Sequence, residues 1–306
     1  MSPRLHFVVL GLLFGCINPL DSADKVHDLR LLAMRVEPPE QSVLFAKKVT
    51  ASALIVDPGG GRRAVHCRWV TCAQLDGNTG RCLDDSPGFS VLSESDFVDA
   101  AEGGEPSMQF NPDPSLLAQV QQLDTYRGLG GVRQVVQLEL SAGVEAVVGI
   151  KRAVFLLPLG PPPTLNTNPV VGALEFNDAG WAPDASVSFI PEPPRPMGFR
   201  MMGGGGAVKN QLAVLEDKAL KQDYQVNTFT GERRTLHETW RYNFFTTLGG
   251  FTPGTAGGAD ILGRDAGIET QWKRNAGEDG GVATIWVVVH DGRGGETWTR
   301  RQAIEP

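Results

Sequence analysis

The chain has 306 residues, a formal net charge of −7 and four cysteines. Hydrophobic residues make up 41%, too many for a wholly disordered chain, while 37 glycines and 21 prolines suit short strands and turns better than long helices. No Lys/Arg cluster is present that could track phosphates, which argues against nucleic acid as a partner.

Met1 to Arg4 is a short segment with one basic side chain, and Leu5 to Gly15 (LHFVVLGLLFG) is an apolar run broken only by His6. A spanning helix needs about 20 apolar residues. The core of a secretory signal peptide needs about 7–15. The run closes on Leu13-Phe14-Gly15-Cys16, which resembles the lipobox of bacterial lipoproteins. That resemblance implies cleavage before Cys16, diacylation of its sulfur and acylation of its new amino group. One acyl chain, at ~0.8 kcal/mol per buried methylene, anchors marginally, whereas several anchor firmly. In enteric bacteria an Asp after the lipidated cysteine retains the protein at the inner membrane. Here Ile17 and Asn18 follow, which implies outer-membrane sorting, on the periplasmic or the surface face. Residues 1–15 are thus expected to be the signal, and 16–27 a tether off the membrane. Loss of Arg4 takes the mature charge to about −8.

A length of about 150 residues per domain predicts two domains in the remainder. In the first, 28–157, Leu29 to Val36 reads as an edge strand stopped by Glu37-Pro38-Pro39. Lys47 to Val56 has period two, with Val49, Ala51, Ala53 and Ile55 on one side, before the Asp57-Pro58-Gly59-Gly60-Gly61 turn. Ala64 to Thr71 follows as a strand in which Val65, Cys67 and Trp69 share the core face. Cys72 and Cys82 flank the turn-rich Ala73–Arg81. A bridge closing that loop, in an oxidising compartment, is expected to contribute about 2–3 kcal/mol. Zinc is the competing reading, since Cys67, Cys72 and Cys82 with His66 offer four soft ligands. Adjacent strand residues point to opposite faces, which sets His66 against Cys67. Asp113 as N-cap and Pro114 at the first helical position predict a short helix with Leu116, Leu117, Val120 and Leu123 on one face, ended by Gly128–Gly131. Val132 to Leu140 and Glu145 to Leu156 form the closing hairpin.

Pro158 to Pro169 (PLGPPPTLNTNP) reads as a semi-rigid polyproline linker. In the second domain, 170–306, weaker strands are expected at Gly172–Phe176, Val187–Ile190 and Val208–Leu215. Stronger ones are expected at Asp223–Phe229 and Thr235–Phe245. Thr284–His290 and Glu296–Ile304 flank Asp291-Gly292-Arg293-Gly294-Gly295 as the clearest hairpin. Gly249 to Gly267 reads as a long glycine-rich loop, mobile or functional.

A strand series with a Trp on the third strand and a closing hairpin resembles an immunoglobulin-like sandwich, and Trp240 with the terminal hairpin repeats the plan. The expected fold is therefore all-β: two tandem immunoglobulin-like β-sandwich domains joined by the Pro-rich linker, with one short helix in the first. As a whole the chain resembles uncharacterised Gram-negative surface lipoproteins in which a lipobox precedes tandem Ig-like domains. That resemblance carries over no catalytic residue.

Chemistry-bearing residues are sparse. No Gly-x-Ser-x-Gly elbow occurs. His290 and Asp291 adjoin, but at a hairpin mouth where Asp serves the turn. Asp84, Asp85, Glu216, Asp217 and Glu238 read as solvated acids, and Gly203–Gly206 with Lys209 lacks P-loop spacing. Asn177, Asp178 and Asp184 lie near the linker, where calcium could stiffen a domain junction. Trp181, Trp272 and Trp298 sit in polar settings and could stack on sugars. Against that, Trp286 and Trp298 could pair across the last hairpin as core. The expected function is a non-enzymatic, lipid-anchored interaction or structural module at the outer membrane. It has no catalytic residue, cofactor or metal, and its possible partner is an envelope protein or glycan. The alternative is an envelope carbohydrate-binding protein or polysaccharide hydrolase using the Gly249–Gly267 loop.

Overall fold

A computed structural model describes residues 23–125, 128, 130–157, 164–189, 210–227, 230, 232–258, 267–274 and 281–304. The signal segment, Cys16, Gly203–Gly206 and Lys209 lie outside the described residues. The fold is all-β, with two sandwiches and a single α-helix among the described residues.

The first sandwich uses β1 (Arg30–Glu37), β2 (Glu40–Ser42), β3 (Val49–Val56), β4 (Val65–Thr71), β5 (Ser90–Phe97), β6 (Ser107–Phe110), β7 (Val132–Ala142) and β8 (Glu145–Leu156). One sheet runs β1-β3-β6 and the other β2-β8-β7-β4-β5. The chain crosses from the first sheet to the second at Glu37-Pro38-Pro39, where proline cannot donate to a ladder, and β2 then joins β8 in parallel. Val49, Ala51, Ala53 and Ile55 of β3 meet Val65, Cys67 and Trp69 of β4 in the core, as their period-two spacing requires. Helix α1 (Pro114–Leu123) begins with Asp113 accepting from the Ser115 N–H, and buries Leu116, Leu117 and Val120. Leu123 remains exposed.

Three strands here are additions to the sequence reading, the first being the three-residue β2. β5 (SVLSESDF) is mostly exposed on both faces, so it carries no apolar alternation to betray it. β6 is only four residues long.

Cys72 and Cys82 are bonded and buried, and Cys67 is a free thiol in the core. The Cys82 backbone is further held by Gln137, whose Oε1 accepts from Cys82 N at 2.8 Å. Replacing both bonded cysteines by alanine is expected to cost about 2–4 kcal/mol, because the closed loop no longer restricts the unfolded chain. Denaturant unfolding of the double variant measures it.

The second sandwich uses β9 (Ala173–Phe176), β10 (Ala179–Trp181), β11 (Ser186–Ser188), β12 (Asn210–Leu215), β13 (Asp223–Asn227), β14 (Arg233–His237), β15 (Arg241–Thr246), β16 (Gly250–Thr252), β17 (Thr255–Gly257), β18 (Glu269–Lys273), β19 (Val282–His290) and β20 (Glu296–Ile304). Its sheets are β10-β9-β12-β18-β16 and β11-β20-β19-β15-β17, with β13-β14 as a separate hairpin. β11 lies parallel to the last strand, β20, just as β2 lies parallel to β8. The immunoglobulin-like plan is thus laid down twice.

Two expectations change. Part of the glycine-rich stretch forms strands β16 and β17, because Phe251 and Ala256 are apolar enough to bury between the turns. Residues 259–266 of it lie outside the described residues. The Thr235–Phe245 run is two strands, since Glu238, Thr239 and Trp240 break the ladder before β15.

The sandwiches pack face to face. Leu32, Ala33, Leu54 and Val56 from the outer face of β1 and β3 form one buried cluster with Trp286 and Val288 of β19, with Phe245 and Trp298 packed against it. A bulge between Leu31 and Ala33 brings the consecutive Leu32 and Ala33 into this layer. Gly103 has φ +107, and a Cβ there would stand 2.8 Å from the Trp286 indole nitrogen. The last part of the expected tether joins the same layer. Val26 is buried, its N–H donates to Thr246 O at 2.9 Å, and Asp24 O accepts from Thr246 N at 2.9 Å. Residues 23–27 are therefore docked rather than free.

Candidate functional site

A dense polar constellation lies where the linker, the first sandwich and the last hairpin converge. The turn between β19 and β20 is shaped by Asp291, whose Oδ1 accepts from Arg293 N at 2.7 Å and Gly295 N at 2.8 Å. A Cβ at Gly295 would come within 2.1 Å of Asp291 Oδ2, so a larger residue there would displace the carboxylate that shapes the turn. That turn aims Arg293 back over the sandwich. Its Nη2 donates to Glu40 Oε2 at 2.7 Å and its Nη1 to Glu238 Oε1 at 3.2 Å, with all three side chains at most 11% exposed. The guanidinium also lies 4.3 Å from the Tyr224 ring centre and donates to Thr164 O.

The linker completes the network. Asn166 donates its backbone N–H to Glu40 Oε2 at 2.8 Å and its side-chain amide to Asp291 Oδ2 at 2.7 Å. Asn168 donates to Val36 O, and its Oδ1 accepts from Glu296 N. The second half of the linker is therefore a clamp, while the three consecutive prolines lie outside the described residues. Beside it Lys151 of β8 pairs with Glu296 of β20 at 2.5 Å, a second ion pair between the sandwiches. Burial raises the Glu40 carboxyl above its ordinary range, against the pull of Arg293. Burial likewise lowers His290, whose Nε2 accepts from the Asn243 amide at 3.1 Å.

Chemically, this arrangement is a lock. Its carboxylates are consumed by cations, amides and backbone donors, and Asp291 spends one oxygen on its own turn and the other on Asn166. Two expectations about acids are corrected here. Glu238 is buried against Arg293, and Glu216 is buried in a pair with Lys221 at 2.8 Å, so neither is solvated. Both were unreadable as buried, because their cations come from elsewhere in the chain or from a turn. Asp84, Asp85 and Asp217 are exposed.

Other predicted residues scatter. Asn177 and Asp178 take φ values of +53 and +63 as the β9–β10 hairpin turn, and Asn177 Oδ1 accepts from Gln211 N. No cluster of three or more metal-ligating groups occurs among the described residues. His66 lies between two exposed acids, its Nδ1 2.9 Å from Asp96 Oδ1 and its Nε2 2.9 Å from Glu94 Oε1, and donating to these carboxylates raises its pKa. Trp181 and Trp272 are core residues, their indoles donating to Ala185 O and Leu248 O. Trp298 is covered by Arg35 and bonded to Glu105, while Trp286 is wholly buried. Both belong to the layer between sandwiches, with Trp298 opposite Val288 and Trp286 opposite Arg300. No exposed groove unites these rings, which removes the support for sugar stacking. One spacing escaped the sequence reading: Ser22 and Lys25 stand as Ser-x-x-Lys. Ser22 lies outside the described residues, and Lys25 is buried in a parallel bridge with Thr246.

No protein-family model matches the chain, and no curated protein matches it. Among solved structures it is similar to red sea bream transglutaminase at 8% identity and a TM-score of 0.26, over 92% of this chain and 32% of that one. The D0-D1 domain of intimin is similar at 9% identity and a TM-score of 0.24, over 90% and 98%. Dimeric latent PorU from Porphyromonas gingivalis is similar at 11% and 0.23, over 92% and 24%. The chain thus spans about a third or less of the transglutaminase and of PorU. At such scores these likenesses say nothing about what this chain does.

Proposed function

We propose that this chain is a lipid-anchored cell-envelope protein that serves as a non-enzymatic interaction or structural module at the outer membrane. The observation that carries this reading is the position of Cys16, directly after an apolar run too short to span a bilayer. The buried Cys72–Cys82 bridge fits an oxidising compartment. Two sandwiches locked by buried ion pairs and an apolar layer fit a rigid body presented by an anchor.

The test is the intact mass of the N-terminal peptide from membrane-expressed protein. A triacylated Cys16 is expected, and Cys16→Ser is expected to lose the acyl mass and leave the membrane fraction. An unmodified chain beginning elsewhere overturns the anchor. Cleavage of an envelope polymer by the purified protein overturns the non-enzymatic role.

A further inference from the structure

The docked segment 23–27 fixes where the anchor leaves the body. Arg30 Nη1 donates to Ala23 O at 2.8 Å, and Gly59 N donates to His27 O at 2.8 Å. Arg30 stands opposite Val56 at one end of the β1–β3 ladder. The turn after Val56 brings Arg63 onto Asp57 and onto Glu145, the first residue of β8. The Gly143–Val144 turn therefore belongs to the same pole as Ala23. Val144 is fully exposed there, an apolar β-branched side chain at a tip where polar turn residues are the rule.

The opposite pole carries the other apolar tip. Glu37 pairs with Thr50 there, and the turn before β3 exposes Leu44 and Phe45 next to the exposed Lys47 and Lys48. Composition alone would make that turn the membrane-seeking one. Covalent reach decides otherwise. The seven peptide steps from Cys16 to Ala23 extend at most roughly 25 Å. Strand β3 alone spans roughly 25 Å, and Phe45 lies beyond its far end. A body standing on its Phe45 tip would hold Ala23 beyond the reach of a lipid on Cys16 unless Ala23 lifted from its dock, whereas one standing on the Gly143–Val144 pole keeps Ala23 within that reach.

We propose that the Gly143–Val144 pole faces the lipid headgroup surface, and that the Phe45 pole and the Asp291–Gly295 turn point away from the membrane. The inference rests on the anchor at Cys16, so acylation is established first from the N-terminal peptide mass. Lipidated full-length protein is then placed in vesicles of phosphatidylethanolamine and phosphatidylglycerol containing a nitroxide-headgroup lipid. Val144→Cys and Phe45→Cys each receive a fluorescent thiol label. The native thiols do not compete, since Cys72 and Cys82 are bonded and burial pushes the Cys67 thiol up to about 11. Quenching is expected to be several-fold stronger at 144 than at 45. Equal quenching, or stronger quenching at 45, in acylated protein overturns the orientation while leaving the anchor intact. An unmodified Cys16 overturns both.

Discussion

Replacing Arg293 by alanine is expected to destabilise the protein by about 3–5 kcal/mol, the range for breaking a buried ion pair by removing one partner. The guanidinium is shared by Glu40 and Glu238, from β2 and from the segment before β15, so its loss strands two buried carboxylates. The penalty is expected to depend on pH. Glu40 is already raised by burial, and Arg293 is the largest influence opposing that rise. Without Arg293 its folded pKa climbs further. A carboxyl raised in the folded state destabilises when ionised, above its folded pKa. That penalty is relieved as pH falls toward the ordinary value of 4.5. The variant's deficit should therefore be largest near neutrality and shrink in mild acid. Denaturant unfolding across that window measures it, and a pH-independent deficit would show that Glu40 is not the stranded charge.

Trp286→Ala is expected to cost about 3–5 kcal/mol, the usual loss for truncating a buried Trp. The ring is wholly buried among Val288, Leu32, Leu54 and Val56, between the sandwiches and outside either internal core. The damage should thus fall on their union. Calorimetry is expected to show one transition for the native chain and two, separated in temperature, for the variant. Trp286→Phe is the control. The Trp286 indole N–H is buried without an acceptor among the described residues, so phenylalanine removes an uncompensated polar group along with some area. It should cost less than alanine and keep the single transition. A single unshifted transition for Trp286→Ala would mean that the layer contributes little to coupling.

Local chemistry was sufficient for much of the architecture. The period-two runs, the Asp113–Pro114 helix start, the Asp-Gly turn at 291–292 and the short Cys72–Cys82 loop are each decided within about a dozen residues of chain, and the structure holds them as read. Strand β5 escaped because an edge strand exposed on both faces has no alternation to read. Trp181 and Trp272 looked available because their neighbours in sequence are polar or loop-like, whereas both rings are buried in the second core.

An all-β chain with two sandwiches, the cysteine pair and the apolar run leading to Cys16 can all be read from local sequence, since periodicity, turn residues and loop closure act over short separations. Long-range packing sets the rest: the two bodies share a buried layer, Arg293 finds Glu40 across 253 residues, and residues 23–27 are docked. Strand β19 shows why. Its run of buried residues is apolar on both faces, one turned to its own core and the other to the first sandwich. Alternation states that a strand has two faces to bury. It carries no term for which distant surface meets the second face, because that choice depends on the shape and charge of the assembled partner.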